Sequence, residues 1–126
     1  MQRKEIIGVI LVVASTLGTL GAIFGYKAFD ERDSITLTAQ APEKGNWSPR
    51  TIPVEEGKEV ILRIRNADVV SHGFYLPSLN IVVKELKAGE VKELSFTAFE
   101  AGEYPFYCVL WCSDYHMQMR GEIVVR

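Results

Sequence analysis

Residues 6–26, IIGVILVVASTLGTLGAIFGY, run for 21 positions without a charged side chain. Apolar residues occupy every face of a helix drawn through them instead of one stripe, which predicts a segment surrounded by lipid. At roughly 1.5 Å per residue that helix covers about 30 Å, the hydrocarbon thickness of a bilayer. Beyond it the spacing of apolar residues shifts to a period of two. Residues 34–38 (SITLT) alternate strictly, and 60–65 (VILRIR) end in alternation. Residues 91–96 (VKELSF), 103–108 (EYPFYC) and 121–125 (GEIVV) add three more predicted strands. Glu56-Gly57-Lys58, Arg65-Asn66, Ala88-Gly89-Glu90 and Ala101-Gly102-Glu103 supply turns between them. Short strands at this spacing, with no amphipathic helix beside them, predict an all-β outer domain built as an antiparallel sandwich. Pro105 has no amide proton for a ladder, so an edge or a bulge is expected in its strand.

The flanks of the apolar run give it a direction. Arg3 and Lys4 precede it, and the mixed cluster Lys27, Asp30, Glu31, Arg32, Asp33 follows. The positive-inside tendency places residue 1 in the cytoplasm and everything after about residue 27 outside the cell membrane. A cleaved leader is the alternative, but its apolar core is shorter, about 7–15 residues, and Ala14-Ser15-Thr16 is a poor cleavage site. A permanent anchor is therefore expected. Gly18, Gly21 and Gly25 would let a second membrane helix approach, and the absence of ionisable groups within the run argues against a proton or ion path. Residues 28–34 and 41–50 are polar and rich in turn formers. The chain then divides into an anchor (1–27), a linker with a first strand and loop (28–50) and a metal-binding domain (51–126), with 28–126 forming the whole outer part. That outer part carries eleven Lys and Arg against fifteen Asp and Glu. Its acidity excludes a nucleic-acid surface and favours a basic partner.

Candidate chemistry concentrates in one segment. Residues 108–119, CVLWCSDYHMQM, hold both cysteines, one of the two histidines and two of the three methionines. The strand assignments make this a loop pinned by sheet at both ends, a place where several ligands can be fixed with little slack. Thiolate, imidazole and thioether together suit copper; Ca²⁺ and Mg²⁺ prefer oxygen donors, and zinc has little use for methionine. A second imidazole is available at His72 in SHGFYLP, 36 residues before Cys108. Taken singly, each residue has a plainer explanation: a hydrogen-bonded histidine, a packed methionine, a Cys108–Cys112 disulfide. Their joint occurrence favours metal. A mononuclear blue site needs one Cys, two His and a weak axial ligand, which His72, Cys112, His116 and Met119 would supply alone. The additional thiol favours a pair of copper ions bridged by two thiolates. An electron shared over two metals changes each bond less on transfer, which lowers the reorganisation required.

The spacing C-x3-C-x3-H-x2-M, with an upstream S-H-G-F, resembles the dinuclear copper A (CuA) centre of cytochrome c oxidase subunit II over roughly residues 55–126. The resemblance implies a cupredoxin-like Greek-key β-sandwich or barrel carrying two copper ions. It implies that Cys108 and Cys112 bridge both ions, that His72 and Met119 complete one, and that His116 and the backbone carbonyl of Leu110 complete the other. Leu110 departs from the glutamate common at that position, which leaves the magnesium ion of the subunit boundary without that side chain. A single helix is a second departure, since many such subunits have two. Nitrous oxide reductase carries a similar centre, and HMQMRG (116–121) is similar to its loop. Its tryptophan, however, stands two residues after the first cysteine, whereas Trp111 stands three after, and 126 residues leave no room for its large catalytic domain.

The resulting expectation is a membrane-anchored electron-transfer protein with no catalytic site of its own. Electrons would come from an external donor, a cytochrome c or a cupredoxin, and pass to the haem-copper catalytic subunit of a terminal oxidase. Leu110, Trp111 and Met117 would form an apolar docking patch above His116. The alternatives are a copper A subunit of a nitric or nitrous oxide-reducing system, a mononuclear blue copper carrier, and a copper chaperone. Chaperones and thiol oxidoreductases with C-x3-C open a helix with the pair, whereas here it closes a strand.

Overall fold

The computed structural model describes residues 2–30 and 33–126, which form two compact units divided after Arg32. Of the predicted linker, Glu31 and Arg32 lie outside the described residues. The first unit is one helix, α1 (Arg3–Asp30), within which Arg3–Tyr26 has a mean hydropathy of 2.3 and can span a membrane by length and composition. Three hydroxyls of its apolar run are satisfied within the helix. Ser15, Thr16 and Thr19 donate to carbonyls three or four residues back, which removes the cost of carrying hydroxyls into hydrocarbon.

The second unit is all β. Its strands are β1 (Asp33–Ala39), β2 (Thr51–Val54), β3 (Glu59–Asn66), β4 (His72–Leu76), β5 (Ile81–Leu86), β6 (Val91–Thr97), β7 (Gly102–Tyr107) and β8 (Arg120–Val125). They form a three-stranded sheet, β1-β3-β6, and a five-stranded sheet, β2-β8-β7-β4-β5. Alternation determines which residues enter the core. Val60, Leu62 and Ile64 of β3 are buried while Glu59, Arg63 and Arg65 face water, and Ile123 and Val125 of β8 behave likewise. Trp47, Phe74 and Phe106 fill the centre.

Three features differ from the expectation. The sandwich is mixed and not purely antiparallel: β1 runs parallel to β3, and β2 parallel to β8. Strands β2, β4 and β5 escape the period-two signal. β2 has four residues including a proline, β4 is buried at four of its five positions, and β5 does not alternate strictly. Pro105 lies on an interior strand and not an edge, yet β7 meets β4 only through Tyr75 and Tyr107, so Pro105 has no partner on that side. The 41–50 segment, expected as a loop, does lack strands. It nevertheless belongs to the folded unit, contributing a 3-10 turn (Pro42–Lys44) and the core residue Trp47.

Candidate metal centre

The antiparallel neighbours β4, β7 and β8 bring the candidate ligands to one end of the larger sheet. His72 opens β4, Cys108 follows β7, and Met119 precedes β8. The Tyr75–Tyr107 pairing sets a register that carries the start of β4 alongside residues just beyond β7. The Cys108 amide donates to the Met119 carbonyl at 3.0 Å, closing the base of the loop. Gly73 is required by this approach. A Cβ there would lie 2.7 Å from Val109 Cγ2 and 3.1 Å from the Lys84 carbonyl, so a side chain would push β4 away from the loop.

All six sequence-predicted residues meet. The ligand atoms of His72, Cys108 and Cys112 lie within 4.8 Å of one another. Cys108 Sγ is 3.9 Å from His72 Nδ1 and 3.2 Å from the Leu110 carbonyl oxygen. Cys112 Sγ is 3.6 Å from His116 Nδ1 and 3.7 Å from Met119 Sδ. Both thiols are free, not a disulfide. His72, Met119 and the two cysteines are buried, while His116 is partly exposed. Two soft thiols, two imidazole nitrogens, a thioether and a carbonyl converging on one spot form a donor set that fits copper. Around it Trp111 is 71% and Met117 82% exposed, and Leu110 is half-buried.

Electrostatics keep the Cys112 thiol and the His72 imidazole neutral in the metal-free fold, so metal binding at Cys112 must displace a thiol proton. Burial pushes the Cys112 thiol from its ordinary 9.0 up to about 12, with the neighbouring Cys108 adding to the rise. Burial also lowers the His72 imidazole below its ordinary value, against the pull of Asp68, so it stays neutral and able to ligate. A thiol protonated in the fold but ionised when unfolded removes stability as pH rises. That contribution is intact below about 9 and is lost on the way to about 12. The metal-free protein should thus unfold at lower denaturant at pH 10 than at pH 8, with the difference reduced in Cys112→Ala. An equal dependence in the variant would assign the effect to other groups.

Several contributing residues lack any obvious motif. Asp68 accepts hydrogen bonds from the Ala41 amide at 2.8 Å, the Val69 amide at 2.7 Å and Lys44 Nζ at 2.8 Å, and its Oδ2 lies 3.2 Å from His72 Nε2. Burial alone would raise its carboxyl. The hydrogen bonds, led by that from Lys44, outweigh burial and hold it well below the usual carboxylate range. Being an acceptor, ionised Asp68 fixes the His72 proton on Nε2 and leaves Nδ1 free toward Cys108. Asn66, expected in a turn, instead ends β3 and is buried. It donates to the Val70 and Leu86 carbonyls and accepts from the Asp68 amide. Asn46 donates to the Gln118 carbonyl at 2.9 Å, and the Ser113 hydroxyl donates to Glu43 at 3.1 Å, so the 41–50 segment braces the ligand loop. The short-range bond from the Asp68 amide to Asn66 Oδ1 is an Asx turn, which N-A-D could have signalled. The contacts across 24 or more residues had no sequence signal.

A model of the cupredoxin-like domain family matches residues 8–125. A cytochrome c oxidase subunit 2 from Thermus thermophilus is 38% identical over 80 residues, covering 64% of this chain and 58% of that protein. The chain spans about half the length of the curated oxidase-subunit relatives it matches first. A nitrous-oxide reductase from Ralstonia nicotianae is 32% identical over 97 residues, covering 73% of this chain but 14% of the enzyme. Among solved structures, a chain of a haem-copper terminal oxidase dimer superposes with a TM-score of 0.65 at 20% identity, covering 98% of this chain and all of that one, which is a likeness of fold.

Proposed function

Because the chain belongs to the cupredoxin-like family, we propose that it is a membrane-anchored electron relay with a dinuclear copper A centre, serving as the subunit II of a terminal oxidase. In this reading Cys108 and Cys112 would hold both copper ions, with His72 and Met119 completing one and His116 and the Leu110 carbonyl the other. One observation carries this reading. Each sulfur lies beside one terminal donor of each proposed ion: Cys108 beside His72 and Leu110, Cys112 beside His116 and Met119. Bridging requires that arrangement, whereas a mononuclear site has no use for the second thiol. When bound, the copper pair supplies one-electron transfer with little rearrangement. The protein holds the donors rigid and buries most of them, so little solvent reorganises.

The anchor α1, with its amino end in the cytoplasm, would keep this centre on the outer side of the cell membrane, where it would serve a haem-copper catalytic subunit. A cytochrome c or a small cupredoxin is the proposed donor, and exposed Trp111 and Met117 with half-buried Leu110 offer it an apolar contact beside the ligand loop. Trp111→Ala should slow reduction by the donor and leave the copper spectrum intact; stopped-flow rates equal to the parent's would discard the patch. Met119→Leu should keep both coppers while shifting the reduction potential, since a weak thioether tunes more than it holds. Loss of metal on that change, read by elemental analysis, would contradict an axial role.

The deciding experiment uses the full chain in detergent micelles loaded with copper. Two coppers per chain and one unpaired spin shared by both nuclei would support the relay. One copper with a blue spectrum would favour the mononuclear carrier, and Cu(I) held without strong colour would favour a chaperone.

A further inference from the structure

We propose that Lys44 is a positioning residue that sets how strongly His72 donates to the metal, acting through the carboxylate of Asp68. This rests on the copper reading of the site, since the consequence of that donation is the reduction potential of the centre. Lys44 lies on the 3-10 turn Pro42–Lys44, 28 positions before His72 in the chain, and its side chain is 47% exposed. The carboxylate it reaches is 1% exposed.

A carboxylate removed from water in this way is stable only if its lone pairs are taken up by donors. The two oxygens divide the work. Oδ1 receives Lys44 Nζ at 2.8 Å and the Val69 amide at 2.7 Å. Oδ2 receives the Ala41 amide at 2.8 Å and faces His72 Nε2 at 3.2 Å. Lys44 is the only formal cation among these partners and, apart from His72 itself, the only one held by a side chain, so replacing it leaves the backbone untouched. With its charge in place, electron density is drawn toward Oδ1 and the hold of Oδ2 on the imidazole proton is moderated. Without it the full negative charge bears on Nε2–H, the ring takes on more imidazolate character, and Nδ1 becomes a stronger donor. A stronger donor favours the oxidised metal. Loss of the nearby positive charge acts in the same direction, so both effects lower the potential.

The test compares Lys44→Gln and Lys44→Arg in the full chain in detergent micelles. The midpoint potential should fall in Lys44→Gln with copper content and spectral type unchanged, and should return to the parent value in Lys44→Arg. The metal-free chain gives an independent reading: nitrogen-15 NMR should show the His72 ring protonated on Nε2, with the Nε2 resonance displaced in Lys44→Gln and restored in Lys44→Arg. An unmoved potential in Lys44→Gln overturns the proposal. A lowered potential with an unmoved Nε2 resonance also overturns it, because Lys44 would then act as a bare charge and not through Asp68. Should the parent chain fail to bind two coppers, the relay reading falls, while the metal-free spectra still judge the link from Lys44 to His72.

Discussion

Cys108→Ser is expected to bind one copper per chain in place of two and to lose the spin shared between nuclei. Cys108 Sγ sits at the junction of the site. It accepts the Gly73 amide at 3.4 Å, lies 3.9 Å from His72 Nδ1, and is 3.2 Å from the Leu110 carbonyl. A serine oxygen is hard, reaches less far from Cβ, and does not bridge soft copper ions. The groups left, Cys112, His116, Met119 and His72, are the donors of a mononuclear blue site. The variant should therefore turn from the parent colour toward blue, and its fold should persist because serine is close to cysteine in size. Metal analysis with electron spin resonance checks both points. Two coppers with a shared spin in this variant would end the bridging assignment of Cys108.

Trp47→Ala should destabilise the outer domain by about 3–5 kcal/mol, the usual cost of deleting a large aromatic side chain from a packed core. Trp47 is 1% exposed and stands edge-on to Phe74 and Phe106, at ring-centroid distances of 5.8 and 5.6 Å. Those two rings are themselves 5.4 Å apart, so the three form one cluster. Phe74 follows His72 by two residues and Phe106 precedes Cys108 by two, so two of the three rings lie on strands that lead to the proposed ligands. Among the described residues the buried Trp47 Nε1–H meets no hydrogen-bond partner, and its removal offsets part of the loss. Denaturant unfolding of the metal-free protein gives the value, with Trp47→Phe retaining most of the stability. A midpoint within the equivalent of about 1 kcal/mol of the parent would show that the domain does not rely on this ring.

The grouping of the candidate residues was legible in the sequence for a specific reason. Cys108, Leu110, Cys112, His116 and Met119 fall within twelve residues, and the strands on either side of them alternate cleanly enough to mark a pinned loop. The buttress behind them was not legible. Lys44, Asn46, Asp68 and Gly73 are ordinary residues in polar or turn-like surroundings, and each acquires its role from a partner brought up by folding. Asn46 bonds across 72 residues to the Gln118 carbonyl, and Lys44 across 24 to Asp68. Strand β4 shows the same limit within the sheet. Its residues are buried on both faces, so alternation, which reports a strand with one wet face, has nothing to register.

Chain-local properties were thus determined by the sequence alone. These are the uncharged run that makes α1, the alternation of β1, β3, β6, β7 and β8, and a soft-donor loop whose Cys, His and Met spacing is short enough to be read directly. Tertiary structure decided the rest: that β1 and β2 join parallel neighbours, that His72 arrives beside Cys108, and that Lys44 and Asp68 stand behind it. Hydropathy and spacing act over a few residues, where backbone geometry leaves few choices. Sheet register and loop packing are chosen by the whole core at once, and only the assembled sandwich selects among the pairings that local preference allows.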